Sequence, residues 1–275
     1  MRLQFKTNDY LLTWNLLYGA SFSQNVHTFK QKLYKTHKKQ YVSIDKDKKE
    51  MLKDIKNFIP DDDTLYNYVF DTELFLRLKD DADKHRLELL KIWDQNKKYV
   101  NDLMKLILKF PIKDDYNIIV LDPVMDSILV EKECTNIGWG NKSDLKDPFM
   151  TLTNILNTIL KNEVTGFDNR YKDIVNVVLE LASNEFYTKL SGTSNYLKGD
   201  NTLTYLKRQI YPYWLMYLGC DSEEFTSYMM RDKISFDIDK YPVEKELQKL
   251  NLLDFIQFCI QNQFKIIRIN QLEIL

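Results

Sequence analysis

The sequence predicts a predominantly helical α+β fold, with a helical N-terminal portion, a small sheet, and a helical C-terminal portion. Three observations carry that prediction. Glycine (7) and proline (6) are scarce, so tight turns are few and helices joined by short connections fit better than an all-β fold. Apolar residues recur at helical spacing through most of the chain. Near the middle the period changes: Asn117-Ile118-Ile119-Val120-Leu121 is a short β-branched run suited to a strand buried on both faces. No internal repeat, low-complexity tract or linker interrupts the chain, so 1–275 reads as a single compact unit. Within it, 1–112 reads as all-helical and 113–275 as the small sheet plus helices.

The elements follow in order. Tyr10–Tyr18 is apolar on several faces and reads as a core helix, and Asn25–Tyr34 continues with Val26, Phe29 and Leu33 at helical spacing. The basic cluster Lys35-Thr36-His37-Lys38-Lys39 could serve as an anion or nucleic-acid patch, but with no aromatic stacking platform interleaved it reads as a helix C-terminus complemented by cations plus solvated loop. Asp45–Phe58 sets Met51, Leu52, Ile55 and Phe58 on one side of an amphipathic helix. Asp61-Asp62-Asp63 caps and charges the next helix start, and Asp80, Asp81 and Asp83 repeat the pattern before a long helix, Ala82–Phe110, stopped by Pro111.

Beyond Asn117–Leu121, Ser127–Glu131 and Thr135–Trp139 read as two further strands, the last ending at the Gly138/Gly140 pair. Asp147-Pro148 is an N-cap followed by proline at the first helical position, opening a helix that Gly166 stops. A second helix spans Tyr171–Leu190 and ends at Ser191-Gly192. Asp200-Asn201-Thr202 opens another, in which Pro212 should kink or split the helix before Gly219 ends it. Asp221 with Glu224 resembles a capping box, Pro242 opens a last helical region, and Lys265–Ile269 reads as a closing strand.

Composition narrows function. Lys+Arg (39) nearly cancels Asp+Glu (40), so the chain lacks the overall positive field of a nucleic-acid binder. No window approaches the roughly 20 apolar residues of a membrane helix, and the N-terminus has no uninterrupted apolar region of a signal peptide. Three separated cysteines, Cys134, Cys220 and Cys259, suggest free thiols in a reducing compartment, and a cytoplasmic location is expected. Neither a GxxxxGK[ST] loop, a GxGxxG turn nor a GxSxG elbow occurs. His27, His37 and His85 all precede the strands, and none has a histidine four residues away.

The stretch Asn117–Gly192 supplies, in order, strands, a strand ending in Gly138-Trp139-Gly140, a helix opened by Asp147-Pro148, and a second helix with Glu180 and Glu185. This order resembles the core of the gluzincin branch of zincin metallopeptidases. There a helix carries HExxH, whose histidines hold zinc while the Glu acts as general base, and a following helix gives a glutamate ligand. The resemblance places Asn157, Thr158 and Lys161 where His, Glu and His would stand, and Glu180 or Glu185 at the third ligand. It therefore implies a degenerate site, because an ammonium repels a divalent cation and threonine is no general base near neutral pH.

Lys161 is expected to pair with Glu180 or Glu185, although an exposed polar stripe of Asp173, Asn176, Glu180 and Asn184 explains the same carboxylates without a site. Tyr211, Tyr213 and Trp214 are candidates for a ligand groove, or for core around a kinked helix. The expected function is a non-catalytic zincin-like protein that binds a protein or peptide partner, with no metal and no cofactor. The alternatives are a hydrolase using Glu163, Glu180 and Glu185, and a helical interaction module unrelated to peptidases.

Overall fold

The computed structural model describes residues 1–20, 23–124, 127–141, 147–193, 201–220, 223, 227 and 245–266. Helical N-terminal and C-terminal portions of the chain, with a small four-stranded sheet, make it the predominantly helical α+β fold that the sequence predicts. The chain divides into two compact units where the sequence predicts one: residues 1–97 with 112–152, and residues 98–111 with 153–275. Two continuous helices, α5 (Glu73–Leu108) and α6 (Pro148–Glu163), each begin in the first unit and end in the second.

In the first unit, β1 (Arg2–Lys6) pairs parallel with β2 (Asp115–Val120), which pairs parallel with β4 (Asn136–Gly140). Strand β3 (Ser127–Val130) closes the sheet antiparallel to β4. Strand β2 behaves as its apolar run predicts, with Tyr116, Ile118, Ile119 and Val120 all buried. Strand β4 is buried throughout. A Cβ added at Gly138 would stand 2.9 Å from the Leu129 Cβ, and Leu11 of α1 (Asp9–Tyr18) is close behind, so glycine lets both side chains reach the sheet.

Residues 1–112 are therefore not all-helical, because β1 is an edge strand. Its signal is only the alternation Arg2-Leu3-Gln4-Phe5-Lys6, with Leu3 and Phe5 buried. A polar relay crosses the sheet from it. Lys6 Nζ donates to Asn117 Oδ1 (2.7 Å), Asn117 Nδ2 to Asn136 Oδ1 (2.8 Å), and Asn136 Nδ2 to the Leu52 carbonyl (2.8 Å).

Helix α1 is capped by Asn8, whose Oδ1 accepts the Leu11 N–H at 2.9 Å, and buries every residue from Leu11 to Leu17. Its leucines join Leu33, Ile44, Met51, Leu65, Val69, Ile119 and Leu121 in one core. The basic cluster is not a helix end followed by loop. Helix α2 (Gln24–Thr36) gives way directly at His37 to α3 (Lys38–Lys53), so Lys38 and Lys39 open a helix instead of trailing one. Helix α3 thus starts earlier than the predicted Asp45 and stops at Lys53, and Ile55 and Phe58 pack on the core from irregular chain. Before α4 (Thr64–Phe70) the N-cap Asp63 makes no side-chain cap bond; Asp62, one residue earlier, accepts the Thr64 N–H at 3.0 Å.

Asp80, Asp81 and Asp83 open no helix; they lie inside α5. The buried series Phe75, Leu78, Ala82, His85 and Leu89 runs unbroken through them, while Lys84 holds Asp80 (2.5 Å) and Arg86 holds Asp83 (3.1 Å) on the exposed side.

Asp122, just past β2, is buried and accepts the Val124 N–H at 3.0 Å. Burial raises its carboxyl pKa, the Val124 bond opposes this, and the negative charge of Asp81 adds to the rise. A raised folded pKa means that Asp122 destabilises the fold once pH climbs from the unfolded value, about 3.9, through the folded one. Asp122→Asn keeps the acceptor without the charge. It is expected to raise the Tm at pH 7, with the gain over wild type vanishing in thermal melts below about pH 4.

Still within the first unit, Asp147 caps α6 as predicted, accepting the N–H groups of Phe149 (3.0 Å) and Met150 (3.1 Å). The elements that follow belong to the second unit. Helix α7 (Lys172–Ser191) ends on Gly192 in the left-handed region. Helix α8 (Thr204–Leu218) runs unbroken through Pro212, so the predicted split does not occur. Proline removes one helix bond, and the flanking Tyr211, Tyr213 and Trp214 are all buried, so packing holds both halves in one helix.

The Trp214 and Tyr217 rings stack at 5.2 Å, and Phe255 of α9 (Leu252–Gln261) lies 4.8 Å from Tyr217. Lys109, in the left-handed region just past α5, donates to the carbonyls of Tyr217 and Gln248 at 2.8 Å each and lies 4.0 Å from the Tyr217 ring. Lys265 and Ile266 end a short helix, α10 (Gln263–Ile266), and are not the predicted strand. The rest of that segment, with Asp221, Glu224 and Pro242, lies outside the described residues. No helix among the described residues is long and apolar enough to cross a membrane.

Candidate functional site

The residues singled out by spacing all fall in the second unit, on α6, α7 and α8. On α6, Asn157 and Thr158 are half-buried and Lys161 is exposed. Thr158 spends its hydroxyl on its own helix, donating to the Asn154 carbonyl at 2.9 Å. Thr153 and Asn157 stand one helical turn apart on the same side. The Thr153 Oγ1 and Asn157 Oδ1 are buried with no hydrogen-bond partner among the described residues. Glu163, the last residue of α6, is half-buried.

Helix α7 carries the two glutamates, and neither is held by Lys161. Glu180 lies against Lys207 of α8, with Nζ 2.5 Å from Oε2. The Lys207 side chain is completely buried and that of Glu180 is 15% exposed. Glu185 has Lys189, one turn along, at 3.6 Å. The predicted bridge from Lys161 is thus replaced by one from Lys207, and the reason is reach: Lys161 turns to solvent while Lys207 sits on the buried side of α8.

The polar stripe is not an exposed face either. Asp173 is exposed, Asn176 half-buried and Asn184 buried, so the stripe enters the interior along its length. Tyr211, Tyr213 and Trp214 are all buried, Tyr213 with its ring 6.0 Å from that of Phe258, which is the core packing that the sequence offers as the other reading.

Lys207 is the residue that sequence reasoning missed. Its signal was present: Lys207, Ile210, Tyr211 and Trp214 fall at i, i+3, i+4 and i+7, which puts a lysine on an apolar face. A charge so placed needs a partner, and the partner had to come from another helix.

These donors do not fit a zinc ion, in keeping with the chemistry of a degenerate site. Asn157 offers an amide oxygen, Thr158 is committed to its own backbone, Lys161 has no lone pair when charged, and an ammonium already sits on Glu180. Among the described residues, no three His, Cys, Asp or Glu side chains gather as a metal site. All three histidines belong to the first unit: His27 contacts Gln31, His37 lies beside Tyr68, and His85 is buried on α5. No family model matches the chain, and no curated protein and no solved structure matches it.

Proposed function

We infer that this chain is a non-catalytic protein with a zincin-like order of elements, and that it works by binding a protein or peptide partner. The observation that carries the reading is the ion pair of Glu180 with the buried Lys207. The carboxylate that the resemblance would make a third metal ligand instead ties α7 to α8, so a divalent cation would have to displace a buried ammonium. Hydrolysis by paired carboxylates finds no support in this arrangement, since Glu180 and Glu185 are each matched by a lysine.

The test is incubation of the full-length protein with peptide libraries, with and without added zinc, read by mass spectrometry. Peptides retained intact, and none cleaved, is the expected result. Zinc-dependent cleavage, or retention of no peptide at all, overturns the reading. Lys161→Ala belongs in the same experiment. Its exposed side chain has no ion pair among the described residues, so the substitution should leave stability within about 0.5 kcal/mol and peptide retention unchanged.

A further inference from the structure

A surface of the first unit, remote in sequence from α6–α8, has a charge that the composition of the whole chain hides. Residues 24–53, the α2–α3 pair, hold nine lysines against three acidic residues, Asp45, Asp47 and Glu50. Lys39, Val42, Lys46, Lys49 and Lys53 are all exposed and recur at i, i+3, i+7, i+10 and i+14, which aligns them along about 21 Å of one side of α3. Asp45 and Glu50 flank that line. Lys49 leans on Glu131 at 3.7 Å, whereas Lys39, Lys46 and Lys53 have no ion pair among the described residues. Lys32, Lys35 and Lys38 extend the exposed charge to the end of α2.

At that end the structure supplies what the sequence reading found missing. Tyr34 and Tyr68 are 45% and 41% exposed. Tyr68 comes from α4, so its place beside the basic cluster is not visible from neighbouring sequence. Its ring lies 5.4 Å from that of His37, and Lys38 Nζ lies 5.6 Å from the Tyr34 ring. Exposed rings next to a line of cations are the two parts of a single-strand nucleic-acid surface: bases stack on the rings while phosphates follow the charges.

We propose that the α2–α3 surface binds single-stranded nucleic acid, with Tyr34 and Tyr68 as the stacking platform and Lys39, Lys46 and Lys53 as phosphate contacts. The near-zero net charge does not oppose this, because screening confines the attraction to within about 10 Å of the surface. The proposal is independent of the α6–α8 reading.

The experiment is fluorescence anisotropy of a labelled oligothymidylate of about 20 nucleotides, long enough for one binding face, titrated with the full-length protein across a salt series. Saturable binding with Kd below about 100 µM at low salt is expected, and log K should fall with log salt at a slope of about −2 for three phosphate contacts. The triple variant Lys39→Gln, Lys46→Gln and Lys53→Gln should abolish most of that slope. Tyr34→Leu and Tyr68→Leu should each weaken binding about tenfold with the slope unchanged. Circular dichroism melts of each variant check that the fold is retained. No binding by the folded wild type overturns the proposal. So does equal affinity of the triple variant, tighter binding of a duplex of the same length, or equal affinity for polyglutamate, which would mark an acidic-protein surface instead.

Discussion

Replacing Glu180 with leucine is expected to destabilise the second unit by about 3–5 kcal/mol. The substitution leaves the Lys207 ammonium buried without the carboxylate that lies 2.5 Å from it. Two charges taken out of water together compensate each other, and removing one withdraws that compensation. Lys207→Met should cost less, because Glu180 is 15% exposed and its carboxylate can turn toward water, whereas Lys207 has no exposure at all. The double variant should recover much of the loss, since apolar groups of similar volume often replace a buried pair at little net cost. Urea titrations followed by circular dichroism give all four corners of that cycle. A Glu180→Leu loss under about 1 kcal/mol would mean that the pair is hydrated in solution.

That pair also marks the limit of what the sequence conveys about the site. Spacing places Asn157, Thr158 and Lys161 together on α6 and Glu180 on the next long helix, and the structure agrees with the helices. Spacing cannot say which lysine reaches Glu180, because that depends on how three helices pack. Lys161 is the nearer of the two to Glu180 in sequence, and Lys207 is the one with apolar neighbours at helical spacing.

The fold shows the same division. The strands from Asp115 to Gly140 and the caps at Asp147 and Gly192 carry local signals and stand where these indicate. Strand β1 is five residues long, and its partner lies more than a hundred residues away, with Arg2 opposite Asp115. A parallel pairing of that reach leaves no turn motif to read. The aspartates at Asp80, Asp81 and Asp83 mislead for another reason. Aspartate is favoured at helix starts, yet Lys84 and Arg86 stabilise these residues within an exposed helix face.

The asparagines of the sheet show how a residue that resembles a strand boundary can be central to it. Asn117 and Asn136 stand opposite each other on β2 and β4, and Asn136 is buried. Its amide receives one hydrogen bond from Asn117 and gives one to the Leu52 carbonyl at the end of α3, so a single side chain fastens β4 to its neighbour and to a helix. Asn136→Leu strands two polar groups at once, the Asn117 amide and the Leu52 carbonyl, at about 1–3 kcal/mol each. A loss of about 2–6 kcal/mol is therefore expected in denaturant titration. Asn136→Asp keeps an acceptor for Asn117 but leaves the Leu52 carbonyl facing a buried carboxylate, so it should be no milder at neutral pH. At the other end of the relay Lys6 is only half-buried, and Lys6→Met should cost under about 1 kcal/mol because water can replace the ammonium at Asn117. A steep gradient from Asn136 to Lys6 is the signature of a relay anchored in the interior. Equal costs at both ends would show that the sheet, rather than the relay, holds β1 in place.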